Sequence, residues 1–196
     1  MITDLLGAAA VVGERVRLDV LQELVALPSD EFLAAVDAHV RAGTLVLTHN
    51  GGEAWFANET VRRDAEAGLP LAVRADLRRR AAVALDDLEH WTAAVAVTPE
   101  PGERARLQLG LAKAAVRAGD LKTAHAATTA AVAYARSSQD QGLLAEAALT
   151  LEPIGESAWD GDIHQWCTEA LATHRTARLL ARRSQAATYL GRWAEA

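Results

Sequence analysis

The side chains best suited to hold a metal or attack a substrate are His164, Cys167 and His174. On one helix His164 and Cys167 share a face at i and i+3, so both could reach one ion. His174 falls about 15 Å along the axis from His164, beyond any common ion. Two ligands do not complete a structural zinc site, and Cys167 has no identified base to activate its thiol. Gly7 and Gly13 are separated by five residues and Glu14 follows. The Gly-x4-Gly-Lys-Ser/Thr loop that cradles phosphate is therefore not present in the sequence. The few serines and scattered histidines form no triad. Asp86, Asp87, Glu89 and His90 read as the end of a helix, where the dipole disfavours acids, and a solvated end is the first expectation. The chain is expected to be no enzyme, to use no cofactor and to bind no metal.

Charge offers better candidates. Arg74 and Arg78 share a helical face at i,i+4, beside Arg79 and Arg80, with Arg62 and Arg63 upstream and Asp76 in reach of Arg79 or Arg80. The simplest reading is a solvated, salt-bridged face, and the sharper one is a docking patch for an acidic neighbour. Arg175, Arg178, Arg182 and Arg183 invite the same two readings. Lys113 and Arg117, also at i,i+4, suit an acidic partner segment. Arg74, Arg78, Lys113 and Arg117 are the candidate docking residues.

The elements that position these groups follow from composition and period. The chain has 196 residues, a formal net charge of −6, 44 alanines, five prolines and one cysteine. Alanine carries the lowest helical cost, and one cysteine cannot form an internal disulfide. No apolar run is long enough to span a bilayer and no basic-then-apolar leader opens the chain, so a soluble, cytoplasmic protein is expected. Residues 1–43 predict three short helices. The first carries Leu5, Leu6, Ala9 and Val12 and stops at Gly13. The second is capped by Asp19 and carries Leu21, Leu24 and Val25. The third is capped by Ser29-Asp30, carries Phe32, Leu33, Val36 and Val40, and closes at Gly43. The period then changes to two. Residues 44–48 and 54–57 flank Asn50-Gly51, the one convincing hairpin signal. Phe56 or Trp55 is expected to be buried against the three helices. Three helices followed by a hairpin is the order of a winged helix.

From Glu59 onward the pattern is helical. One helix ends near Leu69-Pro70, and a longer one places Val73, Leu77, Ala81, Ala84, Leu85 and Leu88 on one face. Two prolines in Thr98–Gly102 mark a linker. The predicted domains are residues 1–98, a linker at 99–102, and 103–196. In the second domain Ala112, Ala115, Gly119, Ala124 and Ala131 follow the small-residue spacing of a tetratricopeptide repeat, with Gly119 expected near the left-handed region between two antiparallel helices. Ala187, Gly191 and Ala196 repeat part of the spacing. A degenerate middle repeat covers roughly 139–174, with Leu143, Leu144, Ala147 and Ala148 on its first helix and Trp166, Ala170 and Leu171 on its second. The chain stops after a repeat turn, so it is expected to be a piece of a longer protein, with Leu179, Leu180, Tyr189 or Trp193 partly uncovered.

Together these residues resemble the central region of large LuxR-type transcriptional regulators and related signal-transduction ATPases with numerous domains. Residues 5–13, 18–27 and 29–43 resemble the three helices of that family's winged helix. Trp55-Phe56-Ala57-Asn58-Glu59-Thr60-Val61-Arg62 resembles its wing strand and following helix, with Ala57-Asn58 where Arg-His is usual. Residues 77–88 and 109–135 resemble the helices beyond. The resemblance implies a mainly α fold, a winged-helix-like domain with one β-hairpin followed by tetratricopeptide-like antiparallel repeats. It implies a non-enzymatic regulatory, protein-interaction module, with the ATPase before Met1 and the DNA-reading module after Ala196. Its partners would be an adjacent ATPase domain or a regulatory protein, and a small-molecule effector. The alternative is a free-standing winged-helix DNA-binding transcription factor with a helical effector or dimerisation domain. Against it, the third helix carries Asp30, Glu31 and Asp37 beside Arg41, and residues 1–100 hold 9 Lys+Arg and 16 Asp+Glu. Such a surface repels the phosphates it must approach.

Overall fold

The computed structural model describes residues 4–195. It is mainly helical, with eleven α-helices at 73% of residues and one small three-stranded antiparallel sheet. No helix among the described residues is long and apolar enough to cross a membrane. The chain divides into two compact units, Met1–Val97 and Thr98–Ala196.

The first unit runs α1 (Leu5–Val12), β1 (Arg15–Arg17), α2 (Leu18–Val25), α3 (Ser29–Arg41), β2 (Leu45–Leu47), β3 (Glu53–Phe56), α4 (Glu59–Ala67), α5 (Leu71–Leu85) and α6 (Leu88–Val97). Leu5 and every residue from Gly7 to Val12 of α1 are buried. A helix apolar on all sides belongs at the centre of a core, and α2, α3, α4 and α5 all pack on it. Its start is fixed by Asp4, whose Oδ1 accepts the Gly7 N–H at 2.9 Å. Gly7 itself permits the packing, since a Cβ there would lie 2.5 Å from Leu69 Cδ2. Phe32 and Val36 of α3, Leu45 and Phe56 of the sheet, and Leu77 and Ala81 of α5 complete this core.

The sheet has the order β1-β3-β2, with Arg15 opposite Trp55, Val16 opposite Ala54 and Leu45 opposite Phe56. Phe56 is buried, while Trp55 remains 37% exposed beneath the Arg15 guanidinium, 5.5 Å from its ring. The strand β1 departs from the expectation of a single hairpin. Its lone inward residue, Val16, is too little to display a period of two, and the pairing is supplied by β3 from about forty residues away. Helix α2 accordingly starts at Leu18, with Asp19 inside its first turn, and α3 follows Pro28 with Ser29 already helical.

The long helix expected to reach Leu88 also breaks. Asp86 adopts a left-handed conformation, φ 50°, and Leu88 opens α6. Asp87 Oδ1 accepts the His90 N–H at 2.9 Å. Asp86 therefore closes α5 as the sequence suggests, whereas Asp87 and Glu89 stand at the start of α6, where the dipole favours them. Burial works against the Asp87 charge, but the His90 N–H and imidazole outweigh it and hold the carboxyl below its usual value. The same imidazole places Nε2 2.8 Å from the Val12 carbonyl, tying α6 to the end of α1.

The second unit contains α7 (Pro101–Ala118), α8 (Leu121–Ser138), α9 (Gln141–Thr150), α10 (Ser157–Leu171), α11 (Ala177–Tyr189) and a 3₁₀ turn at Trp193–Glu195. One turn recurs three times among the described residues of this unit. Gly119, Gln139 and Gly191 take positive φ of 77°, 57° and 71°. The N–H of the residue after each, Asp120, Asp140 and Arg192, then donates to the carbonyl of Ala115, Ala135 or Ala187 at 2.8–3.0 Å. This arrangement satisfies the last carbonyls of the outgoing helix. Asp120 and Asp140 also cap the incoming one, accepting the N–H of Thr123 at 3.0 Å and of Leu143 at 2.9 Å. The left-handed turn expected at Gly119 is present, and Ala112, Ala115, Ala124 and Ala131 are buried where its helices meet. Leu143, Leu144, Ala147, Ala148, Trp166 and Ala170 are buried as well. At the far end Leu180, Tyr189 and Trp193 are exposed whereas Leu179 is buried. Ala196, the last position of the repeat spacing, lies outside the described residues.

Gly7→Ala should lower the thermal midpoint, because overpacking a tight contact costs about 1–3 kcal/mol. Gly161→Ala on α10, where an added Cβ meets nothing within 4 Å, should raise stability by roughly 0.4–1 kcal/mol. Melting both variants by circular dichroism checks this, and a Gly7→Ala variant as stable as the parent would contradict the close approach.

Candidate binding site

A cleft in the second unit combines the chemically richest side chains of the chain. The first turns of α8 present Leu121, Lys122 and His125 along one wall. The opposite wall is the loop between α9 and α10, with the start of α10. Asp160, fully buried, fixes that loop, since its Oδ1 accepts the N–H of Ile154 and its Oδ2 that of Gly155, both at 2.9 Å. Gly155 takes a φ of 85°, which a glycine adopts without strain. The Trp159 indole N–H donates to the Glu152 carbonyl at 2.8 Å. Glu156 caps α10, and the N–H groups of Trp159 and Ala158 draw its carboxyl below the usual range.

The cleft has a volume of about 390 Å³ and is lined by Leu121, Lys122, His125, Ile154, Glu156, Ala158 and Trp159. His125 Nε2 lies 2.8 Å from Asp162 Oδ2, and its ring stacks on Trp159 at 5.2 Å and Trp166 at 5.9 Å. The two indoles and Asp162 are carried by one helix, and His125 locks α8 to it. Leu121, 42% exposed, and Ile154, 50% exposed, form an apolar rim. A carboxylate-oriented imidazole is half of a catalytic base system, yet no Ser, Thr or Cys lines the cleft for it to activate. An aromatic floor, an aliphatic rim, and Lys122 and Glu156 on opposite walls are features of a recognition site.

The residues singled out from sequence lie elsewhere. Arg78 and Arg62 both pair with Glu66, and Arg62 also donates to the Ala10 carbonyl at 3.2 Å. Arg62 in turn draws the Glu59 carboxyl down to about 2, chiefly through its hydrogen bonds. This cluster fastens α4 to α1 and α5. Asp76 pairs with both Arg79 and Arg80, and Arg74 is half-buried on the same helix. Lys113 is exposed and lies 3.2 Å from Glu146 of α9, while Arg117 is exposed one turn along α7. The Arg74–Arg78 and Lys113–Arg117 pairs belong to different units. Cys167 is buried, donates to the Ala148 carbonyl at 3.6 Å, and burial pushes its thiol up to about 11. His164 is buried beside it on α10, and His174 lies past the end of that helix. No group of three His, Cys, Asp or Glu able to hold a metal occurs among the described residues.

His125 and Asp160 escaped the sequence reading because their partners are set by the tertiary fold or by a loop without periodicity. The available signal was Trp159 and Trp166, seven residues apart with Asp162 between them, which places three functional side chains on one helical face. Comparison with protein-family models, with curated proteins and with solved structures gives no match.

Asp160→Ala should cost about 1–3 kcal/mol by leaving two loop N–H groups without their acceptor. It should also speed hydrogen exchange at Ile154 and Gly155. Unchanged exchange at those two amides would show that Asp160 does not hold the wall.

Proposed function

We propose that the chain is a non-enzymatic regulatory module that binds protein partners, part of a LuxR-type ATP-dependent transcriptional regulator. In this reading the first unit is a winged-helix-like packing domain and the second a tetratricopeptide-like array. The order α1–β1–α2–α3–β2–β3 with β3 central supports the first assignment. The recurrence of one left-handed turn at 119, 139 and 191, each followed by an N–H that donates to a buried alanine's carbonyl, supports the second.

The observation that carries the functional reading is the cleft between Leu121 and Ile154. It offers an apolar rim over a His125–Trp159 floor and has no hydroxyl or thiol in its lining. An apolar side chain of the partner enters it, and Lys122, on the wall opposite Glu156, favours an acidic residue of the partner on the α8 side. DNA recognition by the first unit is disfavoured by α3, whose outer face carries exposed Asp30, Glu31 and Asp37.

Selecting a random peptide library on the immobilised protein, with counter-selection on Ile154→Asp, should enrich sequences with an aliphatic or aromatic residue next to an acid. Equal recovery on the parent and on Ile154→Asp would overturn the reading. In a gel shift at low salt the chain should leave mixed-sequence duplex DNA unshifted in the micromolar range, where non-specific DNA binders reach about 10⁻⁴–10⁻⁶ M even at physiological salt. A salt-sensitive shift would favour the free-standing transcription factor.

A further inference from the structure

The charge of this acidic chain is unevenly spread. Residues 170–194 hold five arginines and no Asp or Glu. Within this stretch Arg182 pairs with Glu152 at 3.2 Å. No ion pair or hydrogen bond engages the guanidiniums of Arg175, Arg178 or Arg183 among the described residues. Surface arginines usually meet water, so the informative member is Arg183. Its Nε is buried and has no acceptor. The terminal nitrogens of the same guanidinium are neither buried nor engaged, so they are the donors a ligand can reach.

Arg183 opens onto a cavity of about 370 Å³, within the range of small-molecule sites. The cavity is lined by Thr168, Leu171 and Ala172 near the end of α10, by Arg175 in the connection, and by Leu180 and Arg183 of α11. No carboxylate is among these residues. Thr168 donates its hydroxyl to the His164 carbonyl at 2.8 Å, so it does not compete for an acceptor. The end of α10 and the start of α11 meet here with opposed dipole signs, which leaves the guanidiniums to set the charge of the site. Leu171, Ala172 and Leu180 supply an apolar side, with Leu180 exposed.

We propose that this α10–α11 corner binds a small organic oxyanion, with Arg175 and Arg183 on a phosphate or carboxylate head and Leu171 and Leu180 against an apolar tail. Planar guanidiniums with free N–H groups are suited to both oxyanions. This site is distinct from the His125 cleft, and the proposal does not rest on partner binding there.

Calorimetric titration of the whole chain at low ionic strength tests it, with n-hexyl phosphate, hexanoate, inorganic phosphate and hexyltrimethylammonium as probes. A hexyl oxyanion should bind at least about tenfold more tightly than inorganic phosphate, because its tail is removed from water. Preference between the two hexyl oxyanions then identifies the head group. Arg175→Gln and Arg183→Gln should each weaken binding by about tenfold or more. Arg178→Gln removes the same charge from the same helix but outside the cavity lining, and should change affinity by less than about twofold. Should Arg183→Gln fail to fold, judged by its melting curve, Arg175→Gln on the exposed connection still decides the matter. Equal losses in Arg178→Gln and Arg175→Gln would overturn the proposal in favour of diffuse attraction. Binding of the ammonium probe as tightly as the oxyanions, or no heat with any oxyanion, would overturn it as well.

Discussion

Helices that meet over alanine come close but gain little apolar burial per residue, and most of this structure follows from that constraint. Alanine makes helix formation inexpensive, yet buried methyl groups such as those of Ala112, Ala115, Ala124 and Ala131 remove far less surface from water than leucines would. The register of neighbouring helices must therefore be fixed by other means. In the second unit the recurring turn does this. A left-handed residue lets the chain reverse within two positions, and its neighbour's N–H closes on a buried alanine carbonyl. Asp120 and Asp140 then start the following helices without slack. In the first unit the corresponding constraint is α1, whose Gly7 and alanines admit α4, α5 and Leu69 to close range.

Charge is handled differently in the two units. The first is acidic, but its half-buried acids are engaged: Glu66 takes both Arg62 and Arg78, and Asp76 takes Arg79 and Arg80. What remains for the outside is the acidic face of α3. A surface spent on internal ion pairs holds helices together but offers an acidic visitor little, which weakens Arg78 as a docking residue. In the second unit the pairs Arg136–Glu169 and Lys113–Glu146 link α8 to α10 and α7 to α9. The end of the chain departs from this pattern, with guanidiniums that outnumber their acceptors.

The legible parts of the fold were those with local causes. Helical periodicity placed α1 to α5 and α7 to within a few residues, and Asn50-Gly51 located the β2–β3 hairpin. Glycine at 119 announced a left-handed cap because few other residues accept that geometry. Features with non-local causes were not legible. Strand β1 exists because β3 pairs with it, and Val16 by itself carries no period. Asp86 gave no sign of a break, since a residue other than glycine seldom takes the left-handed conformation it adopts. The cleft was hidden for the same reason. His125 acquires meaning from Asp162, Trp159 and Trp166, more than thirty residues away. Asp160 is an ordinary acid until the loop folds back onto it.

The five tryptophan indoles report on the account directly, because they sample separate parts of the molecule: Trp55 on the sheet, Trp91 on α6, Trp159 and Trp166 at the cleft, and Trp193 at the basic end. Titrating the ¹⁵N-labelled chain with a selected apolar, acid-flanked peptide and following the indole N–H resonances would show where a partner lies. Trp159 should shift first and saturably, with Trp55 and Trp91 unmoved. Movement of Trp55 or Trp91 with Trp159 unchanged would contradict it.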